Sequence, residues 1–161
     1  MEPSGFSKLL TRKVPHIHEM ILLSLDYKTF KNCQGVCETW DELMASESFR
    51  KKAYLAYKKK MDLELVTYAS KGQIDNIKRL LTKGANPNVN VGCMDKSPLD
   101  FGIYYGNKGV VKILLDHGAD VNPANEEVTP PLLASLEYYN NPDAQDIVAL
   151  LLERGADPKK T

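Results

Sequence analysis

A threefold internal repeat in residues 63–161 constrains this chain more than any other feature of its sequence. Three segments align on a shared Gly-Ala-Asn/Asp triplet: LELVTYASKGQIDNIKRLLTKGANPN from Leu63, SPLDFGIYYGNKGVVKILLDHGADVN from Ser97, and TPPLLASLEYYNNPDAQDIVALLLERGADP from Thr129. The triplet glycines are 34 and then 37 residues apart. A repeat of this length is one supersecondary unit that buries its apolar face only by stacking on neighbouring units. The sequence therefore predicts a solenoid of about three repeats.

Each repeat contains signals for two helices. Ser97-Pro98 and Thr129-Pro130 each place an N-cap oxygen before a proline, whose fixed φ suits a first helical turn. A Leu-Leu pair before each triplet provides the apolar stripe of a second helix, and the triplet glycine can adopt the left-handed conformation that ends it. We therefore predict an all-α fold built from helix pairs.

This pattern resembles the ankyrin repeat family across about residues 61–161, most clearly in SPL...GADVN and TPP...GADP. Two departures from the family pattern lead to expectations about the structure. Leu63-Glu64 replaces the usual Thr-Pro, which suits a first unit that packs against something other than a preceding repeat. The third repeat has five extra residues around YYNNPD between its helices, and we expect this loop to bulge.

The resemblance implies binding of a protein target on the concave face of the stack, through the family's variable positions. These positions map onto Cys93, Met94, Lys96, Tyr104 and Tyr105 in the second repeat, and onto Asn125, Glu126, Val128, Leu136 and Glu137 in the third, with Tyr138 and Tyr139 beside them. Tyrosine provides a large contact area with a polar tip, as at many binding hot spots. The alternative is that one tyrosine of each pair only packs against the neighbouring repeat, because intermediate burial is normal for tyrosine.

The N-terminal part of the chain has the pattern of a small interaction module. Ile17, Ile21, Leu22 and Leu25 recur at helical spacing, and further apolar positions continue to Leu43, which predicts three short helices. About 45 residues cannot bury this much apolar surface on their own. Some of it should remain available to a partner.

Residues 9–49 resemble the F-box, through Ile21-Leu22, Leu25-Asp26 and the Val-Cys-x-x-Trp register of VCETW. Pro15 lies one place later than the family's proline, and Val14 replaces the usual leucine, which weakens only the first turn. The resemblance implies binding to the adaptor Skp1, and through it to a cullin-RING ubiquitin ligase. The residues expected to bind Skp1 are Pro15, Ile17, Ile21, Leu22, Leu25, Phe30, Val36, Trp40 and Leu43.

A basic segment, FRKKAYLAYKKK, lies between the two regions. Interleaved lysines and aromatics could indicate RNA contact or nuclear localisation, but the helical spacing of Phe49, Ala53 and Tyr57 favours a connector helix with solvated lysines. The predicted organisation is an F-box-like domain at 9–49, a basic linker helix at 50–61 and an ankyrin repeat domain at 62–161.

Composition and motifs exclude several other functions. Lys+Arg and Asp+Glu are both 21, so no overall field attracts nucleic acid or membrane. We expect neither as a partner, and no run approaches a membrane span. Cys33 and Cys37 with His16 and His18 could form a zinc site, but their spacing is poor for one, and we predict neither metal nor cofactor. No phosphate loop, nucleophile elbow or H-E-x-x-H is present.

The sequence thus predicts a non-enzymatic adaptor, cytoplasmic and possibly nuclear, that is the substrate-recognition subunit of a Skp1-cullin-F-box ligase. Two alternatives stay open: an ankyrin scaffold without a ligase partner, and a microbial or viral effector that mimics host F-box proteins.

Overall fold

The computed structural model describes residue 29 and residues 38–90, 96–125, 128–138 and 143–159. The chain divides into two compact units at the Lys60–Met61 bond. The helices of the described ranges are α1 (Glu38–Ala45), α2 (Glu47–Ser70), α3 (Ile74–Thr82), α4 (Pro98–Tyr104), α5 (Lys108–Asp116), α6 (Pro131–Glu137) and α7 (Ala144–Glu153). The described ranges contain helices and no strands, which confirms the predicted all-α class.

The basic segment predicted to be helical lies within α2. Phe49 is buried, Ala53 and Tyr57 on the same face are half-buried, and Lys51 and Lys59 are exposed. This distribution follows from the spacing of the apolar residues, since positions four apart share one face of a helix. Lys51 and Lys59 therefore extend into solvent.

The three repeats follow one another along the chain as the last part of α2 with α3, α4 with α5, and α6 with α7. α4 packs against α5, and α6 packs against α7. In α3 the buried residues Ile77, Leu80 and Leu81 recur at helical spacing, and α5 and α7 have the same pattern. Leu65, Leu99 and most other large residues of the inner faces are almost completely buried. Burying one such side chain contributes roughly 1.5–3 kcal/mol, so the stacked faces provide the main stabilisation.

The triplet glycines end the second helices as predicted. Gly84, Gly118 and Gly155 have φ values of 89°, 85° and 85°, which other residues rarely adopt. At each site the following alanine donates its N–H back into the helix, as Ala119 does to the Leu114 carbonyl at 2.9 Å. The glycine thereby turns the chain out of one repeat and toward the next.

The starts of the first helices differ between repeats. Ser97 is the N-cap of α4, and its Oγ accepts from the Asp100 N–H at 3.2 Å while Asp100 Oδ2 accepts from the Ser97 N–H at 2.8 Å. The prediction that Thr129 caps α6 is wrong, because the N-cap is Pro130 and the helix begins at Pro131. A residue before proline is pushed into extended conformation, and Pro130 accordingly has ψ 139°.

The first repeat starts without a cap, since α2 continues through Leu63 and Glu64. Asp62 in this helix is buried, and its Oδ1 accepts from the Asn86 N–H at 2.8 Å. Asp62, within α2, thus makes a hydrogen bond to the first triplet.

Asparagine side chains link both pairs of neighbouring repeats, the first to the second and the second to the third. Asn88 donates from Nδ2 to the Gly118 carbonyl at 3.1 Å and accepts from the Asp120 N–H at 2.7 Å. Asn122 repeats the arrangement one unit later, with the Gly155 carbonyl at 2.7 Å and the Asp157 N–H at 2.8 Å. Because one side chain satisfies a donor and an acceptor of the next triplet, these asparagine bridges set the register between repeats.

The expected extra length of the third repeat is only partly in its loop. Residues 138–143 connect α6 to α7, against residues 105–107 between α4 and α5. The loop is therefore three residues longer rather than five. The remaining difference arises because α6 begins one residue later in its repeat and α7 has 10 residues where α5 has 9. Residues 139–142 are outside the described ranges, so the expected bulge stays a prediction.

Candidate protein-binding surface

Three tyrosines meet on the surface formed by the first helices of the second and third repeats. The Tyr104 ring lies 4.9 Å from the Tyr105 ring and 4.9 Å from the Tyr138 ring, measured between centroids, and both pairs pack edge to face. Tyr104 and Tyr105 end α4 and begin its turn, and Tyr138 follows α6. Because α4 packs against α6, residues far apart in sequence form this one tyrosine cluster (Tyr104, Tyr105 and Tyr138).

The cluster is accessible to a partner. Tyr104 and Tyr105 are 50% and 51% exposed, and Leu136, two residues before Tyr138 in the sequence, is 52% exposed. Single exposed apolar residues are ordinary, but a group of this size on one surface marks an interaction site more often. Tyr104 combines both roles considered for the paired tyrosines, since it packs on the neighbouring repeat through Tyr138 and remains half exposed.

A cavity of about 190 Å³ opens between α4 and α6 beneath the tyrosine cluster. Its lining is formed by Lys96, Asp100, Phe101, Tyr104, Ala134 and Tyr138. Most of these atoms are apolar, so the cavity favours an apolar group. Lys96 and Asp100 are its two charged side chains.

The two charges of this cavity have different surroundings. Asp100 is 7% exposed, and its Oδ2 accepts from both the N–H and the Oγ–H of Ser97, at 2.8 and 2.9 Å. The carboxylate is therefore used in capping α4. Lys96 is half-buried and makes no ion pair with any residue in the described ranges.

A second cavity, of about 160 Å³, lies beside the connection between the two repeats. Asn125 and Val128 line it, as do Asp100 and Asp120. Six of its ten lining residues are polar, and Asp120 Oδ1 accepts from the Asn122 N–H at 2.9 Å.

The structure groups some of the residues predicted to bind a target. Tyr104, Tyr105, Leu136, Glu137 and Tyr138 lie at the ends of α4 and α6, and Glu137 is exposed. Lys96 lines the first cavity, and Asn125 and Val128 line the second. Cys93, Met94, Glu126 and Tyr139 lie outside the described residues.

Most of the residues predicted to bind Skp1 also lie outside the described residues: Pro15, Ile17, Ile21, Leu22, Leu25, Phe30 and Val36. Trp40 lies in α1, and Leu43 is half-buried in the same helix. His16, His18, Cys33 and Cys37, which were considered and rejected as zinc ligands, are likewise outside the described ranges.

Sequence reasoning missed three residues of the first cavity: Asp100, Phe101 and Ala134. Asp100 follows Ser97 at the spacing of a capping box, so its role in starting α4 could have been predicted from sequence. Phe101 and Ala134 have no such local signal, because their meeting depends on how α4 packs against α6.

Among the residues that the structure describes, no group of three His, Cys, Asp or Glu side chains could hold a metal ion. None of the helices in the described ranges has the length and apolar character needed to span a membrane.

Stacked helix pairs, closed by left-handed glycines and linked by asparagine bridges, define a helical repeat protein. The family model described as ankyrin repeats (3 copies) matches residues 65–161. The chain therefore belongs to the ankyrin repeat family, and the resemblance noted in its sequence is confirmed.

Two curated proteins show the extent of this similarity. The human transient receptor potential cation channel subfamily A member 1 is 38% identical over 93 residues, which is 56% of this chain and 8% of the channel. The rat cyclin-dependent kinase 4 inhibitor B is 36% identical over 64 residues, which is 40% of this chain and 48% of the inhibitor. In each case the match spans less than half of the relative.

Proposed function

We propose that the repeats bind a target protein through the tyrosine cluster and the cavity beneath it. The observation that carries this proposal is the half exposure of Tyr104 and Tyr105 in a cluster that also contains Tyr138. Tyrosine is over-represented among residues that dominate binding energy, because it combines area, rigidity and a polar tip. The ankyrin family and the name of the rat relative, an inhibitor of a kinase, both support a protein target.

The finer proposal is that the chain is a non-enzymatic substrate-recognition subunit of a Skp1-cullin-F-box ubiquitin ligase, acting in the cytoplasm or nucleus. The support is the sequence pattern at residues 9–49, above all Val36-Cys37 and Trp40 in register with the F-box. In this proposal residues 9–49 hold Skp1 and the repeats hold the protein to be ubiquitinated.

Binding to purified Skp1 tests the proposal that the chain is a subunit of a ubiquitin ligase. We expect the full chain to retain Skp1 in a pull-down, and Trp40→Ala to weaken binding about 30-fold, as loss of about 2 kcal/mol at a hot spot would. Leu152→Ala, on an exposed part of α7, is the control. Unchanged affinity of a folded Trp40→Ala chain would remove Trp40 from the proposed interface, and no Skp1 binding by the unaltered chain would leave a scaffold without a ligase partner.

The double variant Tyr104→Ala/Tyr105→Ala tests the target surface. Proximity labelling in cells should show that this variant loses the neighbours of the unaltered chain while it retains Skp1. Both side chains are half exposed, so the circular dichroism spectrum should be unchanged. Retention of every neighbour by the variant would refute the proposed surface.

A further inference from the structure

We infer that the cavity between α4 and α6 takes an aromatic side chain of the target, with an Asp or Glu one or two residues away paired to Lys96. This inference rests on the proposed binding of a protein by the repeats and adds the kind of segment that they recognise. It requires no Skp1 binding.

The size of the cavity suits one aromatic ring. It encloses about 190 Å³, slightly more than the roughly 150 Å³ of an apolar cavity that takes up benzene. Larger groups would have to displace the tyrosines that surround it.

The walls favour a ring over a polar group. Phe101, Tyr104 and Tyr138 provide aromatic surface, and the Ala134 side chain, 4% exposed, leaves the space between them unfilled. Aromatic rings pack favourably in offset or edge-to-face contact, and the Tyr104–Tyr138 pair already has an edge-to-face arrangement with an interplanar angle of 77°.

The charges of the cavity select an acidic neighbour for that ring. Asp100 is buried and holds Ser97 through Oδ2, so it is used within the fold. Lys96 is half-buried at the same cavity without an ion pair in the described ranges. A target carboxylate therefore meets an attractive charge, and complementary charges give specificity at an interface.

A quaternary ammonium group is the main competing occupant, since aromatic rings also attract cations. Lys96 opposes it, because Lys96 is the more exposed of the two charged residues at the cavity and a like charge there raises the free energy of binding.

Selection from a random peptide library displayed on phage tests the inference with the full chain as bait. We expect enriched peptides to contain Phe, Tyr or Trp within two residues of Asp or Glu. Enrichment of aromatic residues beside Lys or Arg, of sequences without an aromatic residue, or of no sequence at all would overturn the inference.

Variants then locate the binding of a synthetic consensus peptide, measured by fluorescence polarisation. Lys96→Glu should weaken it about tenfold and favour a peptide with Lys in place of the acid, since charge pairs set partner choice. Ala134→Leu should fill the cavity and so lower the affinity for both peptides about tenfold. Lys112→Glu makes the same charge change on an exposed site of α5 and should leave affinity unchanged.

Lys96→Glu keeps the test decisive even if Ala134→Leu destabilises the repeats, because Lys96 lies before α4 rather than in the core. Equal affinity of Lys96→Glu and the unaltered chain for the consensus peptide would overturn the inference, as would tighter binding of a trimethyllysine peptide. Failure of Skp1 to bind leaves these outcomes unchanged, so the two proposals can fail separately.

Discussion

Removal of one asparagine bridge tests how strongly the third repeat depends on the second. In Asn122→Ala the Gly155 carbonyl and the Asp157 N–H lose partners at 2.7 and 2.8 Å. Each hydrogen bond contributes about 0.5–1.5 kcal/mol. The expected loss is therefore about 2 kcal/mol, and a urea slope of about 1.5 kcal/mol per M converts it to a midpoint about 1.3 M lower.

Hydrogen exchange locates this loss within the repeats. Amides of α7 should exchange faster in Asn122→Ala, whereas those of α3 should change less, because each repeat contacts only its neighbours. Asn76→Ala is the matched control, since half-buried Asn76 donates from Nδ2 to the Gln73 side chain, three residues away in the same repeat, at 2.9 Å. A stability loss below about 0.5 kcal/mol, or an equal loss in Asn76→Ala, would refute the argument.

Three further changes test the core, the turns and the surface of the repeats. Leu114→Ala should cost about 2–5 kcal/mol in urea unfolding, because the side chain is completely buried, whereas Leu152→Ala, at 46% exposed, should cost far less. Gly118→Ala should lower the free energy of unfolding by about 1–2 kcal/mol, because φ is 85°. The added carbon meets no atom within 4 Å, so this loss comes from the backbone conformation alone. A neutral result would contradict the assigned turn. Lys108→Ala should lower the urea midpoint slightly in low salt and not in 1 M NaCl, since it removes the 2.8 Å pair with Asp146. That pair raises the pKa of Lys108 above its ordinary 10.5, so on the alkaline side its contribution is lost as pH rises through the raised pKa.

The helix pairs and their ends could be predicted because they depend on local chemistry. The triplet glycines and Ser97 act on residues within a few positions of themselves, so their roles are readable from one segment. The start of α6 was missed by one residue because Pro130 precedes a second proline, and the two prolines compete for the first helical position.

The target surface could be predicted only in outline. Tyr104, Tyr105 and Leu136 were named because repeat alignment assigns the same position to different units. The cavity beneath them could not be predicted, since Phe101 and Ala134 meet only after α4 and α6 pack. The role of Lys96 could not be predicted for the same reason, because it depends on the hydrogen bonds that Asp100 accepts from Ser97.

The asparagine bridges also bear on how the length of such a protein can change. The segment from Asn88 to Val121 carries a bridging asparagine at its start and the triplet that receives one near its end. Tandem duplication of this segment would recreate both halves of the bridge at the new junction, while Asp62 continues to serve the first triplet. Growth by whole units inside the array therefore conserves every junction, and each added copy brings another Tyr104-Tyr105 pair to the surface.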